Sequence, residues 1–143
     1  MKKLFLFPLS LSFAAAHAQV YHCPDTYPAK KGGAQLMSAE IRVGQRNGNA
    51  LHGDIVETKD GTSVRYNLPE AMPRWMVCQY GGKRIAGTSI TPGRMVDAQE
   101  WWIQLDPLSD VCDMDVNKDG TGNGWTATAH CKGKELPTPV MLE

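Results

Sequence analysis

Four cysteines, Cys23, Cys78, Cys112 and Cys131, follow a leader-like N-terminus. That combination constrains the fold more than any other feature of the chain. The leader is "MKKLFLFPLSLSFAAAHA": Lys2 and Lys3 precede an apolar run from Leu4 to Ala16, with small residues at Ala16 and Ala18. This is the pattern of a secretory signal peptide over 1–18, cleaved before Gln19. The apolar run, about a dozen residues, is short of the ~20 that a membrane span needs. The residues before Cys23, "VYH", are too bulky for a lipobox. No membrane insertion is therefore expected after cleavage, and the product is expected in the periplasm or secreted. In such an oxidising compartment an even cysteine count reads as disulfides. Three connectivities satisfy four cysteines. Cys23–Cys78 with Cys112–Cys131 is favoured, because it staples a local strand–turn–strand unit and ties down the new N-terminus. Zinc is disfavoured, since no Cys-x-x-Cys pair occurs and His22 and His130 merely adjoin cysteines.

Removing the leader from 143 residues leaves 125, enough for one domain with one core, residues 19–143. The two leader lysines go with it, so 13 basic residues face 15 acidic ones, near −2. A nucleic-acid binder would carry a basic footprint, and none is present.

Period-two alternation dominates and no stretch of helical period is long enough to use. In Ala34–Gly44, Ala39, Ile41 and Val43 share one side. "GDIVETKDGTSVRYNLP" reads as a hairpin: a strand near Asp54–Thr58, a turn at Lys59–Gly61 and a strand at Thr62–Leu68. The Asp60–Gly61 pair is expected to supply the positive φ angles of a tight turn. Val64, Tyr66 and Leu68 share a face. "RWMVCQYGG" (Arg74–Gly82) is apolar on both faces and reads as a central strand. "KRIAGTSITPG" is a weak partner strand. "EWWIQL" places Trp101, Ile103 and Leu105 inward. "GWTATAHC" aligns Trp125, Ala127, Ala129 and Cys131. The tail from about 133 reads as loose. The expectation is all-β: a small antiparallel sheet, sandwich or partly closed barrel stapled by two disulfides.

Two features suggest binding. The first is "DMDVNKDGTGNGW". From Asp115, the residues Asp115, Asn117, Asp119, Gly120, Thr121 and Asn123 match positions 1, 3, 5, 6, 7 and 9 of a calcium loop. Position 12 is Thr126 rather than a bidentate Glu, so a weak structural calcium ion is what the pattern would hold. Asp, Asn and Gly also compose any long hairpin tip. The second is Trp101–Trp102. Adjacent residues of a strand face opposite ways, so one ring is expected to leave the main core, either as an exposed interface anchor or packed under a loop or on the second layer of a sandwich.

Catalytic patterns are absent. The serines stand in no nucleophile-elbow context, the cysteines are expected to be oxidised, and "YGGKR" lacks Walker spacing. His52 and Asp54 could form a dyad, but such a pair is more often a turn with a polar strand start.

"YHCP" after the leader, "WMVCQYGG" and a later pair ending in "TATAHCK" together resemble a group of small exported proteins of Gram-negative bacteria. Some of these are encoded among type VI secretion genes, and they have no assigned activity. The resemblance covers roughly Tyr21 to Lys132 and does not extend to the aspartate-rich loop. It implies an immunity protein that blocks a wall-attacking toxin. The architecture is also similar to that of periplasmic lysozyme inhibitors. The expected function is a non-enzymatic periplasmic binding protein whose partner is a cell-wall hydrolase or toxin. The alternative is a calcium-stabilised structural or envelope-associated module.

Overall fold

A computed structural model of the chain describes residues 18–45, 50–85, 94–120 and 124–133. Among them the fold is all-β, with no helix. The strands are β1 (Ala18–His22), β2 (Leu36–Val43), β3 (Asp54–Glu57), β4 (Gly61–Asn67), β5 (Arg74–Tyr80), β6 (Lys83–Ile85), β7 (Arg94–Val96), β8 (Gln99–Gln104), β9 (Ser109–Lys118) and β10 (Trp125–Gly133). Every pairing is antiparallel. One open sheet has the order β1-β10-β9-β4-β3, a second has β2-β5-β8, and β6 pairs with β7. No barrel closes. Of the expected leader, only Ala18 is described, as the first residue of β1.

Alternation decides which face each residue takes. On the large sheet Val64, Tyr66, Cys112, Met114, Val116, Ala127, Ala129 and Cys131 point inward and are buried. On the small sheet Leu36, Ala39, Ile41, Met76, Cys78 and Tyr80 do the same. These inner faces merge into one apolar core. Burial of this kind contributes about 25 cal/mol per Å² of apolar surface, so the seam between the sheets carries most of the favourable free energy. β5 lies centrally in its sheet and is buried on both faces except at Trp75, as its composition predicts.

Both disulfides take the favoured pairing. Cys112 and Cys131 are register partners on β9 and β10. Cys23 follows β1 and reaches Cys78 on β5, so that bond links the two sheets. With all four cysteines joined, the chain suits an oxidising compartment outside the cytosol.

Two local expectations are corrected. The β3–β4 hairpin forms as read, but neither Asp60 nor Gly61 has a positive φ. Gly61 is needed for close approach instead: a Cβ there would meet the Val116 carbonyl and stand 2.8 Å from the Asn117 Cα. In β8, Leu105 and Ile103 turn inward as expected, but Trp101 sits at the edge and stays 38% exposed. "KRIAGTSITPG" contributes β6, and residues 86–93 fall outside the described residues, as does the tail from 134.

Candidate functional site

Two connections cross between the sheets at one end of the molecule. Residues 68–73 lead from β4 to β5, and residues 105–108 lead from β8 to β9. Pro69, Pro73 and Pro107 lie in them, and each fixes its own φ. The connections are joined by backbone hydrogen bonds: Leu68 N–H to the Asp110 carbonyl at 2.8 Å, and Leu105 N–H to the Arg74 carbonyl at 2.9 Å.

Arg74 locks them together. It opens β5 and is only 3% exposed. Its guanidinium donates from Nε to the Met72 carbonyl at 3.1 Å, from Nη2 to the Pro69 carbonyl at 2.7 Å, and from Nη1 to the Ser109 carbonyl. A buried cation is costly unless its donors are matched, and here two carbonyls of the 68–73 connection and that of Ser109, where the second connection enters β9, match them. The planar fork suits this task, where a lysine ammonium would not.

The 105–108 turn is braced further. Asp106 Oδ1 accepts from Leu108 N–H at 2.8 Å, and Asp106 Oδ2 accepts from Gln19 Nε2 at 2.9 Å. The Asp106 N–H donates to the Tyr21 hydroxyl at 2.9 Å, and the Asp106 carbonyl accepts from Ser109 N–H at 3.0 Å. At the tips of these held connections stand Leu108, 79% exposed, and Met72, 44% exposed. Ala71, beside Met72, has φ 59°, a region where non-glycine residues are strained and where binding segments concentrate. The arrangement offers a partner two apolar side chains whose backbone is already ordered. Pre-ordering lowers the entropic cost of association.

The sequence reading did not single out this pair. The signals were present in "LPEAMP" and "LDPLSD", each a proline-bounded turn carrying a large apolar residue. The two anchors it did name go to different places. Trp102 lies on the outer face of the small sheet, half-buried, its ring 6.0 Å from that of Trp75 and covered by the Arg42 guanidinium at 5.0 Å. Arg42 is itself held by Glu40 and by Glu100 Oε2 at 3.0 Å, the latter an ion pair without aligned hydrogen-bond geometry. Trp101 faces the other way. Its ring meets Tyr27 edge-on at 6.4 Å, and Tyr27 meets Tyr80 at 5.6 Å.

Asp115 and Asn117 belong to β9, opposite Ser63 and Gly61 on one side and Thr128 and Thr126 on the other. Asp119 follows the strand and donates its N–H to the Gly124 carbonyl at 2.8 Å. In a strand, alternate residues stand about 7 Å apart, so the Asp115 and Asn117 side chains are drawn out along the sheet rather than curled about a point. Thr121 and Asn123 lie outside the described residues. Among the described residues, no group of three His, Cys, Asp or Glu side chains is spaced to hold a metal. His52 and Asp54 are both exposed. Two positions before Asp115 in the same row of β9, Asp113 accepts from Arg65 Nε at 2.8 Å and from Arg65 Nη2 at 3.1 Å. That hydrogen bond holds the Asp113 carboxyl below the usual carboxylate range.

No helix among the described residues is long and apolar enough to cross a membrane. No family model matches the chain, and no curated protein and no solved structure matches it.

Proposed function

We propose that this chain is a non-enzymatic binding protein of the periplasm, an inhibitor or immunity protein that sterically blocks a cell-wall-targeting enzyme. One observation carries the reading: two sheet-to-sheet connections clamped by buried Arg74, each presenting an exposed apolar side chain, Met72 and Leu108. Inhibition by obstruction needs a wedge that does not yield when it enters a cleft. It needs no turnover. The two disulfides keep the same scaffold folded outside the cell, and the resemblance of "YHCP", "WMVCQYGG" and "TATAHCK" to small exported proteins points to the same class of partner.

The test uses the chain from Gln19 to Glu143 and a set of purified muramidases and wall amidases, measuring complex formation and hydrolase activity. A stoichiometric complex that suppresses activity is expected with at least one of them. Leu108→Asp should weaken that complex about tenfold or more, with melting unchanged. The reading fails if no wall hydrolase binds, or if Leu108→Asp and Met72→Asp leave binding intact.

A further inference from the structure

We infer that the free edge of β3 accepts an extended, lysine- or arginine-bearing segment of a protein partner as an added strand. Among the described residues β3 pairs only with β4 and ends the large sheet. Edge strands usually carry a device that discourages pairing, such as a proline, a lysine or a bulge. β3, "DIVE", has no proline, lysine or bulge, and its ladder with β4 is regular; its protection is its shortness and the two carboxylates at its ends, which discourage an acidic edge and not a basic one.

The four edge strands of the two sheets differ in cover. β1 and β8 alternate exposed with half-buried residues, and β2 is mostly buried or half-buried and is bridged at Arg42 by Ala50. Only β3 is exposed at every position, with Val56 at 62% and Ile55 at 40%.

The hydrogen-bond phase of the hairpin fixes which groups the edge offers. Thr58 and Gly61 exchange both backbone hydrogen bonds. Bonded and non-bonded pairs alternate along an antiparallel ladder. Val56–Ser63 and Asp54–Arg65 are therefore bonded pairs. Ile55 and Glu57 then turn their N–H and C=O groups away from β4, toward the free edge.

The choice of partner rests on charge. Asp54 and Glu57 bound the apolar centre of β3, and neither makes a side-chain hydrogen bond or salt bridge among the described residues. Arg65 stands opposite Asp54, but its Nε and Nη2 are committed to Asp113. Like charges on neighbouring strands oppose pairing and opposite charges favour it. A second copy would bring the same carboxylates to the seam from both sides. Asp54 and Glu57, three residues apart, lie on opposite faces of β3, so a strand with basic residues at both ends of a two-residue apolar centre brings the complement, with main-chain bonds supplying affinity and side chains supplying selectivity.

This inference does not depend on the paired connections at Arg74. It is tested with the isotopically labelled chain from Gln19 to Glu143 and a synthetic peptide, Lys-Val-Ile-Lys, whose cations have the spacing of Asp54 and Glu57. The expected result is saturable binding that protects the Ile55 and Glu57 amides from hydrogen exchange. The double variant Asp54→Lys, Glu57→Lys, checked for unchanged melting, should lose the binding. Val56→Lys should lose it too. Equal binding of the acidic analogue Glu-Val-Ile-Glu would overturn the inference. So would protection confined to other edges, or a peptide-free dimer in which the same two amides are already protected.

Discussion

The Arg74 side chain and the Ser109 carbonyl are hydrogen-bonded across 35 positions of sequence. Through that contact a strand of the small sheet holds the start of a strand in the large one. Arg74→Met removes all three donors and leaves the buried Ser109 carbonyl unmatched. We expect a loss of about 2–3 kcal/mol, read from urea unfolding. Arg74→Lys keeps the charge but cannot span three carbonyls, so the 68–73 and 105–108 connections should become sites of early cleavage in limited proteolysis. Unchanged stability and cleavage in both variants would remove Arg74 from its role.

The two disulfides should contribute unequally. In the loop-entropy account, the Cys112–Cys131 separation of 19 residues corresponds to about 3 kcal/mol and the Cys23–Cys78 separation of 55 to about 4 kcal/mol. The Cys23→Ala, Cys78→Ala pair should therefore lower the urea midpoint more than Cys112→Ala with Cys131→Ala. The reverse order would mean that the cross-strand bond contributes more than chain entropy assigns it.

Asp113 gives a pH dependence of known sign. Its folded carboxyl is held below its ordinary value by the Arg65 hydrogen bond. Stability from the pair is thus present above the unfolded carboxyl's titration near 3.8 and lost as pH falls through the lower folded value. Both side chains are solvent-accessible, so the contribution is small and screened by salt. Urea midpoints compared at pH 5 and at pH 3 should fall less for Asp113→Asn than for the parent chain. Equal falls would mean that the pair has no net effect on folding.

Calcium is settled by melting. With Asp115 and Asn117 in the body of β9, the melting temperature should be the same in millimolar calcium and in chelator, and Asp115→Asn should not change it. A rise in calcium, reversed by chelator and lost in Asp119→Asn, would instead assign an ion to the turn after Lys118.

Where burial follows period-two alternation, the sequence was a reliable guide. Val64, Tyr66 and Leu68 all turn inward, as do Ala127, Ala129 and Cys131. The cysteine pairing was legible for a related reason, since Cys112 and Cys131 sit at one register of a hairpin. What stayed hidden depends on contacts distant in sequence. Arg74 reads as a solvated strand start until carbonyls from the 68–73 connection and from the start of β9 surround it. Trp101 has the correct parity for the core, yet β8 is an edge strand and its first half has no third strand beside it. Gly61 was rightly marked as special, but the cause lies in the neighbouring β9 backbone and not in the turn.

β1, the first strand, pairs along its whole length with β10, the last, from Ala18 opposite Lys132 to His22 opposite Thr128. A chain that emerges N-terminus first, from a ribosome or through a membrane pore, must therefore hold β1 in waiting until β10 has appeared. The large sheet cannot be completed before β10 is out, whereas both partners of the Cys23–Cys78 bond precede β8, β9 and β10 in the chain, so the link between the sheets can form before the sheet it ties down is whole.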